Sequence, residues 1–246
     1  TVASLISKIP AKNRLADFPH YLMHRAEQLD NLYIFKNTEG TPENIRKFHP
    51  NIIVSSTGSA PLLPPIAGLK DRIDNEKHNI YSILGMISHI NDFPKDLEGK
   101  KVVVVGGGAV GLDVVEFFAD RNADISIVEM MDQIGRDLDP VSKNDTKTMM
   151  KKHNVHQLTK TALLEVKDSS FLVRGDGEPY ELPFEYGFVC LGMRAQGQLY
   201  QNLTEEFSSE DVEIMNIGDS QRARRIIDGT QEGRNILTIL EQKGYL

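Results

Sequence analysis

Three glycines and one acid carry the chemistry that can be read from this chain. Gly106, Gly108 and Gly111 stand in the order G-x-G-x-x-G within KVVVVGGGAVGLD, and Glu129 closes the segment DISIVE, 18 residues after Gly111. Glycine at the first position permits a tight turn, at the second lets backbone approach a pyrophosphate, and at the third lets a helix pack close on a strand. A helix starting here, with Ala109 and Val110 in its first turn, presents unpaired N–H groups and partial positive charge to an anion. An acid about 20 residues further on, at the end of the next strand, is placed to accept hydrogen bonds from an adenosine ribose. Its charge repels a 2′-phosphate, and Met130 follows it where a phosphate site would be better served by arginine. The expected ligand is therefore NAD(H) rather than NADP(H), the alternative for Glu129 being a plain solvated strand end.

These residues need a particular frame. The unbroken valine run at 102–105 predicts a strand buried on both faces of a parallel sheet. AVGLDVVEFFADR, with Val110, Val114, Phe117 and Phe118, predicts the helix that follows, and DISIVE (124–129) the next strand. Asp139 before Pro140 is an N-cap and first-turn pair for a further helix ending in Lys151, Lys152 and His153. Strands are expected at 155–158, 161–166 and 171–174, and at FVCLG (188–192). This alternation indicates a parallel α/β sheet.

Upstream, 17–30 has helical spacing with Asp17 as a cap, LYIF (32–35) reads as a short strand, and Thr41 caps a short helix in 41–48. A buried strand is expected at 51–58, an extended proline-rich connection at 59–68, and one helix near 82–90. Downstream, 212–219 reads as a strand leading into a helix over 222–242.

Composition narrows the function. The 246 residues carry a formal charge of -7, which disfavours nucleic-acid binding. The single cysteine, Cys190, excludes a disulfide framework, a CxxC pair or a cysteine-held iron–sulfur cluster within this chain. No apolar stretch reaches the ~18 to 20 residues of a membrane span, and TVASLISKIPAKNR lacks a signal-peptide core, so a cytoplasmic location is expected. The chain starts at Thr1 without an initiator methionine, as a piece of a longer protein would. Arg136 reads either as a ligand of cofactor phosphates or as the partner of Asp132 or Asp137. Gly192 reads either as a close approach to a nicotinamide or as a turn glycine. The pairs His20/His24 and His153/His156 lack further metal ligands, so no metal site is expected. Gly229 and Gly233 read as helix packing or as a flavin-facing helix start, and the Met130-Met131 and Met149-Met150 pairs as core filler.

The segments PAKNRLADFPHYL, NIIVSSTGSAPLLPPIAGL, KKVVVVGGGAVGLDVVEFFADRNADISIVEMMDQIGRDLD, FVCLGMRA and NIGDSQRARRIIDGTQEG together resemble the two-dinucleotide-binding flavoprotein reductases. More narrowly, they resemble the C-terminal FAD/NAD(P)-binding region of multidomain NADH:flavin oxidoreductases related to old yellow enzyme, the group of 2,4-dienoyl-CoA, 2-enoate and bile-acid-type reductases. The resemblance implies an α/β fold in which a Rossmann-like NAD(P)-binding domain, about 96–200, is inserted in a truncated FAD-binding domain made of 1–95 and 205–246. It also implies NAD(H), and FAD in the intact protein, as cofactors. Thr57 and Gly58 match a threonine-glycine near the flavin, and Gly218 and Asp219 match the glycine-aspartate that contacts the FAD ribityl-phosphate region; a helix cap is the alternative for Asp219. The family's first FAD fingerprint, its flavin-binding barrel and its iron–sulfur cysteines have no counterpart in these residues. The barrel and cluster are therefore expected as parts of a parent protein, and no catalytic acid, base or nucleophile is assigned here. A disulfide reductase is disfavoured by the missing cysteine pair.

Overall fold

The computed structural model describes residues 5–245, which divide into two compact units. The first takes the described residues up to Asp17 together with Pro61–Gly192; the second takes Phe18–Ala60 and the described residues from Met193 onward.

The first unit is built on a five-stranded, wholly parallel sheet in the order Ile80–Tyr81, Tyr186–Val189, Lys101–Val105, Asp124–Val128, His156–Leu158. The valine strand lies at its centre, and Val102 to Val105 are each no more than 3 % exposed. Alternation along the strand explains why all four are apolar, because successive side chains enter opposite faces. Val103 and Val105 share a core with Val128, Val189, Leu69 and Phe171. That face is covered by an antiparallel meander of Ala162–Val166, Ser170–Arg174 and Tyr180–Pro183.

The helix Ala109–Ala119 follows the valine strand, and its Phe118 packs on Phe188 with ring centroids 4.8 Å apart. Phe93 meets Phe118 at 5.2 Å and Tyr186 at 5.5 Å, extending the aromatic layer. Burying each such ring stabilises the unit by about 1.5 to 3 kcal/mol. The helix Pro140–Lys152 starts as expected: the Asp139 carboxylate accepts from the Val141 and Ser142 N–H groups at 2.9 and 3.1 Å.

Residues 61–95 are part of this compact unit. Leu69, Ile73 and Ile80 are buried in the same core as Val103 and Val105, a long-range packing that local composition does not reveal.

The second unit holds a parallel pair, Ile52–Ser55 with Glu213–Asn216, and the helices Asp17–Ala26, Pro42–Arg46, Gln198–Glu206 and Ile226–Gln242. Its core is Ile53, Leu203 and Phe207, with Ile45, Leu199, Val212 and Ile214 packed around them. Arg46 lies over the Phe207 ring at 4.6 Å and pairs with Glu206 and Glu210.

Two expectations fail in residues 17–35, and one helix was not anticipated. LYIF forms no strand: among the described residues no strand pairs with it, and Tyr33 is 79 % exposed. Asp17 does not cap the helix of 17–26 but is its first residue, approached by the Arg14 side chain at 3.4 Å. The helix Gln198–Glu206 was not anticipated, although Leu199, Leu203 and Phe207 repeat at four-residue intervals.

Candidate functional site

The valine strand ends at Val105, and the chain must turn at once to enter the helix beginning at Ala109. Gly106 makes that turn with φ at +112°, and a Cβ there would lie 2.1 Å from the Cys190 carbonyl oxygen on the neighbouring strand segment. Only glycine fits both demands. At Gly111 the constraint is packing: a Cβ would sit 1.9 Å from the Gly106 carbonyl oxygen. The helix is thus pressed against the turn that starts it.

Gly108 is different. It is exposed, caps the helix with no side-chain hydrogen bond, and has open space around the position of a Cβ, with nothing within 4 Å. The first bond of the helix runs from the Leu112 N–H to the Gly108 carbonyl at 3.0 Å, so the N–H groups of Ala109, Val110 and Gly111 precede it and have no intrahelical partner. These donors and the positive end of the helix face an open surface, an arrangement suited to an anion.

Glu129 lies beside this turn, as its spacing predicts. Its Oε2 accepts the Gly107 N–H at 2.6 Å and its Oε1 accepts the Met131 N–H at 2.7 Å. Each oxygen keeps a further lone pair for a hydroxyl group. Sequence reasoning missed that Glu129 also acts as a strut, since nothing local foretells a bond across 22 residues. A cleft of about 300 Å³ opens here, lined by Gly107, Gly108, Glu129, Met131, Gln133, Arg136 and Asp137. Met131 lines it, whereas Met130 is 69 % exposed outside it, so this pair is not core filler. Met150 is buried as expected. Gly192, with φ at +103°, follows the neighbouring strand at the same carboxyl edge of the sheet as Gly106 but does not line the cleft.

In the second unit, Thr57, Gly58, Gly218 and Asp219 follow the carboxyl ends of two neighbouring parallel strands, the usual location of ligands in open α/β sheets. Each is already engaged. The Thr57 hydroxyl donates to the Gln196 carbonyl at 2.6 Å, and the Gln196 N–H donates to the Gly58 carbonyl at 2.9 Å. The Gly218 N–H donates to Glu232 Oε2 at 2.6 Å, and Glu232 is ion-paired with Arg224. Asp219 accepts from the Ser59 hydroxyl and the Arg224 N–H, both at 3.1 Å. Gly229 packs against Gly218, where a Cβ would meet its Cα at 3.4 Å, while Gly233 has open space around it.

Residues 24–215 match the family described as pyridine nucleotide-disulphide oxidoreductase. The chain belongs to this family. Relatives include a metal reductase of Desulforamulus reducens, 26 % identical over 89 % of this chain and 36 % of the relative. A bilirubin reductase of Mediterraneibacter gnavus is 24 % identical over 94 % of this chain and 34 % of its own length. Among solved structures, a 2-naphthoyl-CoA reductase complex superposes with a TM-score of 0.77 at 21 % identity, over 94 % of this chain and 33 % of that one. This chain thus spans about a third of the proteins it resembles, and the match to two-dinucleotide-binding flavoproteins inferred from the motifs holds for family and fold.

The cofactors of this pyridine nucleotide-disulphide oxidoreductase family are NAD(P)H and FAD. The first unit fits the pyridine nucleotide, offering an open glycine turn, unpaired helix donors and an acid at the adjoining strand end. The sequence holds no second G-x-G-x-x-G for the adenosine diphosphate of a flavin nucleotide. The disulphide chemistry in the family's name needs two thiols. Cys190 is the one cysteine, and burial pushes its thiol up to about 12, where it stays protonated and inert. Among the described residues no cluster of metal-ligating side chains exists, and no helix is long and apolar enough to cross a membrane.

Proposed function

We propose that this chain is the pyridine-nucleotide-binding part of a flavin-dependent reductase, holding NADH so that its hydride passes to FAD for reduction of an activated C=C bond elsewhere in the intact protein. The observation that carries the reading is Gly108, bare and facing open space above a helix whose first N–H groups are unpaired. NADH brings the hydride itself, so the task of the chain is positioning. Gly106 and Gly111 fix the turn, the helix N-terminus holds the diphosphate, and Glu129 accepts from the adenosine ribose while repelling a 2′-phosphate. Gly192 lies on the sheet edge toward which the nicotinamide half would extend. Thr57, Gly58, Gly218 and Asp219 serve the flavin side.

Relatives support this reading by their names: an NADH oxidase of Thermoanaerobacter brockii at 26 % identity and a cinnamate reductase of Clostridium sporogenes at 21 %. The barrel and iron–sulfur region of a longer parent would then be the partners that receive the electrons. A second reading, a nucleotide-binding module without turnover of its own, is favoured by the Gly218 N–H being taken up by Glu232 and by Asp219 already accepting on both oxygens from the protein's own groups.

Calorimetric titration with NADH and NADPH tests the first step, with NADH expected to bind more tightly. No heat from either nucleotide sinks the proposal, and tighter binding of NADPH removes the role given to Glu129. Anaerobic mixing with NADH and free FAD then separates the two readings: bleaching of the flavin supports a competent reductase, and binding without bleaching supports the module.

A further inference from the structure

The cleft contains a cation that the site has not yet employed. Arg136 lines it beside Gly107, Gly108 and Glu129. Among the described residues its guanidinium has no ion-pair or hydrogen-bond partner, although Asp132 and Asp137 stand close in sequence. The loop that bears it is held at both ends. Lys160 donates its N–H to the Met131 carbonyl at 2.8 Å, and Gly135 donates its N–H to the Gly107 carbonyl at 2.7 Å. Gly135 is buried with φ at +66°, so the backbone immediately before Arg136 is fixed against the middle of the glycine turn.

We propose that Arg136 is a second anchor for the diphosphate bridge of the nucleotide and not a reader of the 2′-position. The inference rests on the NADH reading above and adds a residue to it. Glu129 decides between the two phosphates: it lines the same cleft as Arg136, and its carboxylate would sit against a 2′-phosphate, which leaves the diphosphate as the anion for the guanidinium. Charge points the same way. A helix N-terminus contributes roughly half a positive charge against the two negative charges of a diphosphate, and a guanidinium supplies donors in the fork geometry that phosphate oxygens accept. Asp137, the other charged side chain of this loop in the cleft, has the wrong sign for the task.

The full chain and its Arg136→Ala and Arg136→Lys variants are titrated with NADH, NADPH and ADP-ribose. Since Arg136 is exposed and unpaired, the Ala variant should melt like the parent. Its affinity for NADH and ADP-ribose should fall about tenfold or more, as expected for a lost charge-assisted contact, with the NADH-to-NADPH ratio unchanged. Lysine should restore part of the loss, and the salt dependence of binding should weaken in Arg136→Ala. Unchanged affinity in the Ala variant overturns the proposal while leaving the NADH reading intact, and loss confined to NADPH overturns it in favour of a 2′-phosphate contact. A parent chain that binds neither dinucleotide overturns both.

Discussion

Two glycine turns in this protein begin alike and end differently. Each follows a strand of a parallel pair, and in each a glycine N–H is accepted by a glutamate oxygen at 2.6 Å, Gly107 by Glu129 and Gly218 by Glu232. At the first turn the acceptor comes from the end of the next strand, so the N-terminus of the helix Ala109–Ala119 stays open. At the second the acceptor comes from the helix Ile226–Gln242 that follows the turn, and Arg224 pairs with it. Glycine content alone therefore does not make an anion site. What matters is whether the protein fills the donors from its own chain.

The contrast is broken most severely at Gly111. Alanine there places a Cβ against the Gly106 carbonyl, and neither the strand nor the helix can yield without disturbing the sheet. Gly111→Ala should destabilise the first unit by about 3 kcal/mol or more, measured by urea or thermal unfolding. A loss under about 1 kcal/mol would show that the helix can slide, and that its close approach is not what shapes the turn.

Gly108→Val separates binding from folding. Its backbone is extended, and a side chain meets nothing in the protein, so the melting temperature should hold. The valine methyl groups would project into the space assigned to the diphosphate, and NADH affinity should fall about tenfold or more in a calorimetric titration. Retained affinity in a folded variant would mean that the open mouth of the first turn is not where the nucleotide lies.

The first turn was legible in the sequence and the second was not, for a physical reason. The valine run, the three glycines and the Asp139-Pro140 pair act within a few residues of themselves, and the strand, helix and cap all form where the sequence places them. The spacing of Glu129 also located the strand end correctly. By contrast, the partners that close the second turn are the Ser59 hydroxyl, which donates to Asp219, and Glu232, which accepts from Gly218, and no local pattern connects them to that turn. The same holds for Leu69 and Ile73, which share a core with Val103 that no local pattern announces. LYIF has strand composition, but a strand exists only where another offers it hydrogen bonds. At Gly218, Asp219, Leu69 and Ile73 the deciding partner is distant in sequence.

Cys190 tests how tightly the first turn is packed. Its carbonyl faces Gly106, and burial pushes its thiol up to about 12. The folded state thus favours the neutral thiol. The unfolded chain ionises it above about pH 8.5, so stability is fully present below that value and declines between it and pH 12. The decline contributed by this group approaches about 1.4 kcal/mol per pH unit. Denaturation measured from pH 8 to 11 should show a shallower alkaline slope in Cys190→Ala than in the parent. Equal slopes would mean that water reaches the sulfur, and that the turn is looser than its glycine contacts imply.

The smallest effect is expected at the second turn, and there the sign runs the other way. The Gly218 N–H, with Arg224 second, holds the Glu232 carboxyl below its usual range. A carboxylate whose pKa is depressed on folding contributes stability above the unfolded value of about 4.3, and that stability is lost as pH falls through the folded value. Glu232→Ala should therefore cost about 1 kcal/mol at pH 7, a modest figure because the side chain is partly exposed, and should flatten the acid limb of stability below pH ~4.5. Denaturation of both proteins across that range measures both quantities. If the variant is neutral at pH 7 and its acid limb matches the parent, the carboxylate adds nothing at Gly218. The second turn would then be as open in energetic terms as the first, and the difference between them would have to come from Asp219 and its two donors instead.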